Sequence, residues 1–145
     1  AYTGEALRRF RFDLLPVTKA GNLVMTVLLT AETVAGEVLA WCFGQTLAEE
    51  LCYDMNAAAK RLGQTSSPDD PAVAAFLSMP LVELLPGAWV AGRDLAPKVI
   101  LMEAHPSVYL LDVSGPDGIA RRFSLPSGLA LVFVEQLGEV IETIS

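Results

Sequence analysis

The sequence predicts a single α+β domain spanning residues 1–145, with a mainly antiparallel sheet and helices packed on one of its faces. Three observations carry that expectation. Apolar and charged residues alternate with period two near the start of the chain and again near residue 110. A helical stripe occupies the middle and another closes the sequence. Leu14-Leu15-Pro16-Val17-Thr18-Lys19-Ala20-Gly21-Asn22-Leu23 is also echoed at a constant offset by Leu110-Leu111-Asp112-Val113-Ser114-Gly115-Pro116-Asp117-Gly118-Ile119. Such an echo fits two pseudo-symmetric units, each a hairpin feeding a helix.

From Leu7 to Val17, Arg9, Arg11 and Asp13 alternate with Phe10, Phe12 and Leu14, the pattern of a strand with one wet and one buried face. A turn over Thr18-Lys19-Ala20-Gly21-Asn22 leads into Leu23 to Thr30, which is apolar at nearly every position and reads as a central strand covered on both sides.

Helical spacing from Thr33 places Val34, Val38, Trp41, Ala48, Cys52 and Met55 on one stripe. Gly44 interrupts it, and Thr46-Leu47-Ala48-Glu49 has the form of a capping box, so Thr33 to Leu62 is expected as one kinked helix or two. Leu62-Gly63 supplies the C-cap.

Gln64 to Asp70 reads as a loop. Ser67 and Pro68 then look like the N-cap and first position of a short helix running to Met79, with Pro71 tolerated in its first turn. Trp89 to Ala91 and Val99 to Ala104 read as short strands. Ser107 to Ser114 and Ile119 to Leu125 form a second hairpin across the turn Gly115-Pro116-Asp117-Gly118. A helix from about Ser127 to Ile144 closes the chain, with Leu129, Phe133, Leu137 and Val140 on its inner face.

Composition narrows the function. The 145 residues are 52% hydrophobic and only 19% charged, with a mean hydropathy of +0.44. That is apolar against the roughly 25% charged residues of ordinary soluble domains, and surplus apolar surface points to a partner. Leu23 to Gly44 has nearly the length of a membrane span, but Glu32 and Glu37 interrupt it, so no membrane insertion is expected. A net charge of −7 argues against broad, charge-driven binding to phosphate backbones. The two cysteines, Cys42 and Cys52, are expected in helix about 15 Å apart along the axis and therefore unbonded to each other. Their low number favours a reducing intracellular compartment. Trp41 and Phe43 flank one, Leu51 and Tyr53 the other, an apolar setting that raises a thiol pKa and fits core packing.

No catalytic, metal-binding or cofactor motif stands out. His105 beside Glu103 has the form of a base with an orienting carboxylate, but no nucleophile accompanies it and a strand-end residue explains it as well. Glu49-Glu50 and Asp69-Asp70 read as a solvated helix face and an N-cap, because adjacent helical residues point about 100° apart.

One charge pattern carries more. Arg8, Arg9, Arg11, Arg121 and Arg122 fall in expected strands, while Glu32, Glu37, Glu49, Glu50, Asp54, Glu135, Glu139 and Glu142 fall in expected helices. A sheet covered on one side would then show a basic open face, on which Arg9, Arg11 and Arg122 could hold single-stranded nucleic acid with Tyr109 or Phe10 stacking on bases. Solubilising an exposed sheet explains the same arginines.

Arg121 to Ile144 has the strand-then-helix cadence of PUR and Whirly-like nucleic-acid-binding repeats, and its Leu137-Gly138-Glu139-Val140-Ile141-Glu142 ending is similar to theirs. In its small size, acidity and apolar content the chain also resembles the secretion-chaperone class, which dimerises and holds client segments, although that class's opening helix is absent. We assign the chain to neither. The leading expectation is a non-catalytic protein-interaction or assembly subunit acting as a homo-oligomer or within a complex. A single-stranded nucleic-acid binder is second, and a small-ligand binder or enzyme third.

Overall fold

A computed structural model describes residues 3–65, 69–78, 93–95, 99–115, 118 and 120–144. In chain order the elements are β1 (Glu5–Lys19), β2 (Asn22–Thr33), β3 (Val38–Phe43), α1 (Gln45–Arg61), α2 (Pro71–Leu77), β4 (Arg93–Leu95), β5 (Val99–Ala104), β6 (Val108–Ser114), β7 (Ala120–Pro126) and α3 (Ser127–Ile144). The strands form one seven-stranded sheet in the order β4-β3-β2-β1-β7-β6-β5. Two antiparallel meanders, β1-β2-β3 and β5-β6-β7, meet along a short parallel seam where Glu5 lies opposite Phe123 and Ala6 opposite Ser124. Each meander is followed directly by a helix, α1 after the first and α3 after the second.

The helices cover one face. Phe10 and Phe12 of β1 share that face with Leu29 of β2 and Trp41 of β3, and across the seam with Leu111 of β6 and Phe123 of β7. Leu51 and Met55 of α1, Phe76 of α2, and Phe133 and Leu137 of α3 close over them. Trp41 lies against Phe123, ring centroids 5.0 Å apart, and so links the two meanders through the core.

The largest departure from the sequence expectation is Val38 to Phe43, which is a strand and not the first part of a helix. All six residues are apolar, so both a 3.6-residue stripe and a two-residue alternation fit them. Pairing with β2 decides the matter: Leu39, Trp41 and Phe43 face the helices, and Val38, Ala40 and Cys42 face away. The turn that makes this possible lies at Val34 to Glu37, where Gly36 takes φ +94° and Thr33 accepts from the Gly36 amide at 2.9 Å. Helix α1 begins after Gly44, whose extended backbone is the N-cap with no side-chain capping bond, so the expected Thr46–Glu49 capping box is not used. It ends at Leu62, with Gly63 beyond it at φ +65°.

The short helix likewise starts later than expected. Asp70 is its N-cap, its Oδ1 accepting from the Ala72 amide at 2.9 Å and the Val73 amide at 3.4 Å, and Pro71 occupies the first helical position. Ser67, Pro68 and the expected strand Trp89–Ala91 lie outside the described residues.

The Asp70 carboxylate also rests against the start of α3, where a Cβ on Gly128 would fall 2.5 Å from Asp70 Oδ2. Helix propensity alone would have Gly128→Ala stabilise by about 1 kcal/mol. Here the added methyl must displace a carboxylate held in place by its capping bonds. Gly128→Ala is therefore expected to lower stability by about 1 kcal/mol in urea unfolding. A rise in the urea midpoint would show that Asp70 is not fixed by its cap.

Candidate interaction site

The sheet face turned away from the helices carries Arg8, Arg9, Arg11 and Arg122, and a β-bulge arranges the first two. The β1–β2 register shifts between Leu7 and Arg9, so two consecutive residues, Arg8 and Arg9, sit opposite the single Glu32. Arg9 donates through Nε to Glu32 Oε1 at 2.9 Å and through Nη2 to Oε2 at 3.2 Å. Arg8 donates through Nε to Oε1 at 3.0 Å, and its Nη2 closes on the same oxygen. Arg9 and Glu32 are both buried, and Arg8 is about half exposed. Burial pushes the Glu32 carboxyl up, but the two arginines outweigh it and hold the group below its ordinary 4.5.

Arg11, Arg121 and Arg122 are paired as well. Arg11 Nε lies 3.0 Å from Asp13 Oδ2, and Arg122 donates to both oxygens of Asp112 at 2.7 and 2.9 Å. The Arg122 hydrogen bonds hold Asp112 below its usual carboxylate range. Arg121 lies on the helix side, 5.2 Å over the Phe123 ring, and its hydrogen bonds to Glu5 and Glu37 raise its pKa. Glu32 lies in a strand and Glu37 in a turn, so neither belongs to an acidic helical layer. Of the residues expected to bind nucleic acid, Arg9, Arg11 and Arg122 share the face away from the helices, each with a carboxylate beside it.

Neither stacking candidate joins them: Phe10 is buried in the core under the helices, and Tyr109 is also turned away. It is buried on the helix side, where its hydroxyl donates to Gln64 Oε1 at 2.5 Å and the Gln64 amide donates to the Pro106 carbonyl at 2.9 Å. Its ring fastens the end of α1 to the β5–β6 turn and is not available for base stacking. Burial also raises its phenol pKa above the ordinary 10.0. The centre of the face is closed too, since Leu28, Thr30 and Ala40 are almost wholly inaccessible.

The remaining sequence candidates stay apart. His105 Nε2 lies 2.8 Å from Glu103 Oε1 at the end of β5. A groove beside them is lined by Asp54, Arg61 and Met102 with Glu103, and His105 is not part of its wall. Cys42 is in β3, its sulfur 3.3 Å from Thr26 Oγ1, whereas Cys52 is in α1, and neither is in a disulfide. Burial raises the Cys52 thiol, as its apolar flanks suggest. Among the described residues no three metal-ligating side chains converge, and no described helix is long and apolar enough to cross a membrane.

What the structure does expose is an arm. Strand β3 pairs with β2 only from Val27 onward, and β7 pairs with β1 only at Glu5 and Ala6. Among the described residues, the distal β1–β2 hairpin is therefore just two strands wide. Its tip is a two-residue turn with φ +53° at Ala20 and +81° at Gly21, the mirror-image geometry that suits strand twist. Cross-strand register puts Leu14, Leu23 and Met25 on one face of the arm and Leu15, Val17 and Val24 on the other. Leu23 is 73% exposed and Val24 39%. The cover on both sides that the apolar run predicts holds from Val27 to Ala31 and fails at Leu23 and Val24. No protein-family model matches this chain, and no curated protein matches it significantly.

Beside the base of the arm a groove runs between β1 and α3. Phe10, Arg11, Phe12 and Asp13 form one wall, and Gln136, Glu139 and Val140 the other.

Proposed function

We propose that this protein is a non-catalytic assembly subunit that acts as an oligomer through the β1–β2 arm. The observation that carries the reading is the arm itself, a hairpin apolar on both faces and without a third strand among the described residues. An isolated two-stranded hairpin is marginal in water, and leaving Leu23 and Val24 exposed is unfavourable unless a partner covers them. The paired arginines weigh in the same direction, because phosphate binding would have to displace Glu32, Asp13 and Asp112 from their cations.

The test is the mass of the protein in solution at micromolar concentration, by light scattering after size exclusion, with and without a mixed single-stranded oligonucleotide. The expected result is an oligomer whose mass the oligonucleotide does not change. A monomer that shifts only with oligonucleotide would replace this reading with the nucleic-acid one. A monomer indifferent to it would remove self-assembly.

A further inference from the structure

We propose that a second copy of this chain docks along the edge of β1 that no described strand occupies, its own β1 running antiparallel so that Phe12 of each copy lies at the two-fold axis. The inference rests on the assembly reading above and names the surface and the occupant. Edge strands invite addition of another strand, and beyond Ala6 the second edge of β1 has no strand beside it among the described residues. The groove between Phe10 to Asp13 and α3 lies along that edge.

The choice of occupant comes from the residues themselves. Arg9-Phe10-Arg11-Phe12-Asp13-Leu14-Leu15 is self-complementary when reversed about Phe12. Phe12 then meets Phe12 of the second copy, and Phe10 meets the second copy's Leu14, all on the helix side of the sheet. On the opposite side Arg11 meets the second copy's Asp13, and Asp13 meets its Arg11. The in-chain Arg11–Asp13 pair, 3.0 Å apart, so becomes half of a ring of four alternating charges. An isologous contact demands this reciprocity.

The two neighbouring registers bring like charges together. Because side chains alternate between faces, only registers shifted by two in the sum of paired positions keep the helices of both copies on one side. Centring on Arg11 sets that arginine against its own copy, and centring on Asp13 sets two carboxylates together. Like charges directly opposite are destabilising, whereas opposite charges are favourable. The register centred on Phe12 avoids both like-charge contacts and, unlike one centred on Leu14, sets each Arg11 against an Asp13 of the other copy.

The test uses full-length Arg11→Asp and Asp13→Arg chains, each alone and mixed, with mass read by light scattering across a dilution series. Wild type should be a dimer. Each variant alone opposes four like charges at the axis and should dimerise at least about tenfold more weakly. The equimolar mixture should recover wild-type affinity, because two acidic positions on one chain then face two basic positions on the other. A change confined within one chain could not produce that rescue. If wild type is an oligomer and both variants keep its mass, or if the mixture is not rescued, the β1-edge contact is wrong while the assembly reading stands. A monomeric wild type overturns both. Should a variant fail to fold, amide exchange in the wild-type oligomer decides: outward-facing amides between Arg9 and Leu15 should exchange slowly, and rapid exchange overturns the contact.

Discussion

Phe133→Ala is expected to destabilise the protein by about 4 kcal/mol, near the upper end of what truncating one buried side chain can do. Phe133 is fully buried on α3 and touches both inward aromatics of β1 edge-to-face, with ring centroids 5.1 Å from Phe10 and 5.0 Å from Phe12. Phe10 in turn stacks on Phe76 of α2 at 4.5 Å. One ring therefore holds α3 to the strand at the middle of the sheet and supports the contact with α2. Truncation removes its transfer free energy, opens a cavity between elements that are fixed by their own hydrogen bonds, and deletes two aromatic contacts. For a domain of this size the loss corresponds to a fall in melting temperature of roughly 10 °C. Tyr53→Ala is the control: that ring is 74% exposed on α1, and its removal should change stability by less than about 0.5 kcal/mol. Urea unfolding of both variants checks the contrast. Equal effects would mean that the cluster at Phe133 does not bind α3 to β1.

The same cluster shows how much of the fold is legible in the sequence. Phe10 and Phe12 alternate with Arg9 and Arg11, and that alternation alone assigns the rings to the core and the arginines to the other side. The β6–β7 hairpin is equally readable, since Gly118 takes φ +76° in the turn and its amide bonds to the Gly115 carbonyl at 3.1 Å. Helix α3 also follows its apolar stripe from Ser127 to Ile144.

What is not legible depends on neighbours distant in sequence. Val38 to Phe43 carries no polar residue to fix its period, so its strand state follows from β2. Alternation would place Arg8 on the helix side of β1, and only the bulge turns it toward Glu32 beside Arg9. Tyr109 is different, because its signal is present: it alternates in step with Leu111 and Val113, two inward residues, and that company predicts burial over base stacking. The arm escapes the sequence pattern for a related reason. A run apolar on both faces marks a strand that needs cover on both faces, and nothing in the pattern says whether its own chain supplies that cover.

Glu32→Gln is expected to cost about 3 kcal/mol at neutral pH, and the pH dependence of the wild type should show the same interaction from the other side. Glu32 is the carboxylate on which Arg8 and Arg9 converge, and Arg9 is buried with it. Removing the negative charge leaves the Arg9 guanidinium enclosed without its bidentate counter-charge, which is far more unfavourable than losing an exposed pair. Arg8 reaches solvent, so Arg8→Ala should cost no more than about 1 kcal/mol. The asymmetry between the two arginines tests which one the carboxylate neutralises. As for sign, Glu32 is held below its ordinary 4.5 in the folded protein, so the unfolded chain binds its proton first as acid is added. The stabilisation is fully present above about 4.5 and declines as the pH falls through the lower folded value. Urea unfolding of wild type and Glu32→Gln from neutral pH down to about pH 3 should show a difference that shrinks across that window. A constant difference would mean that the variant is destabilised by altered packing and not by loss of the charge between Arg8 and Arg9.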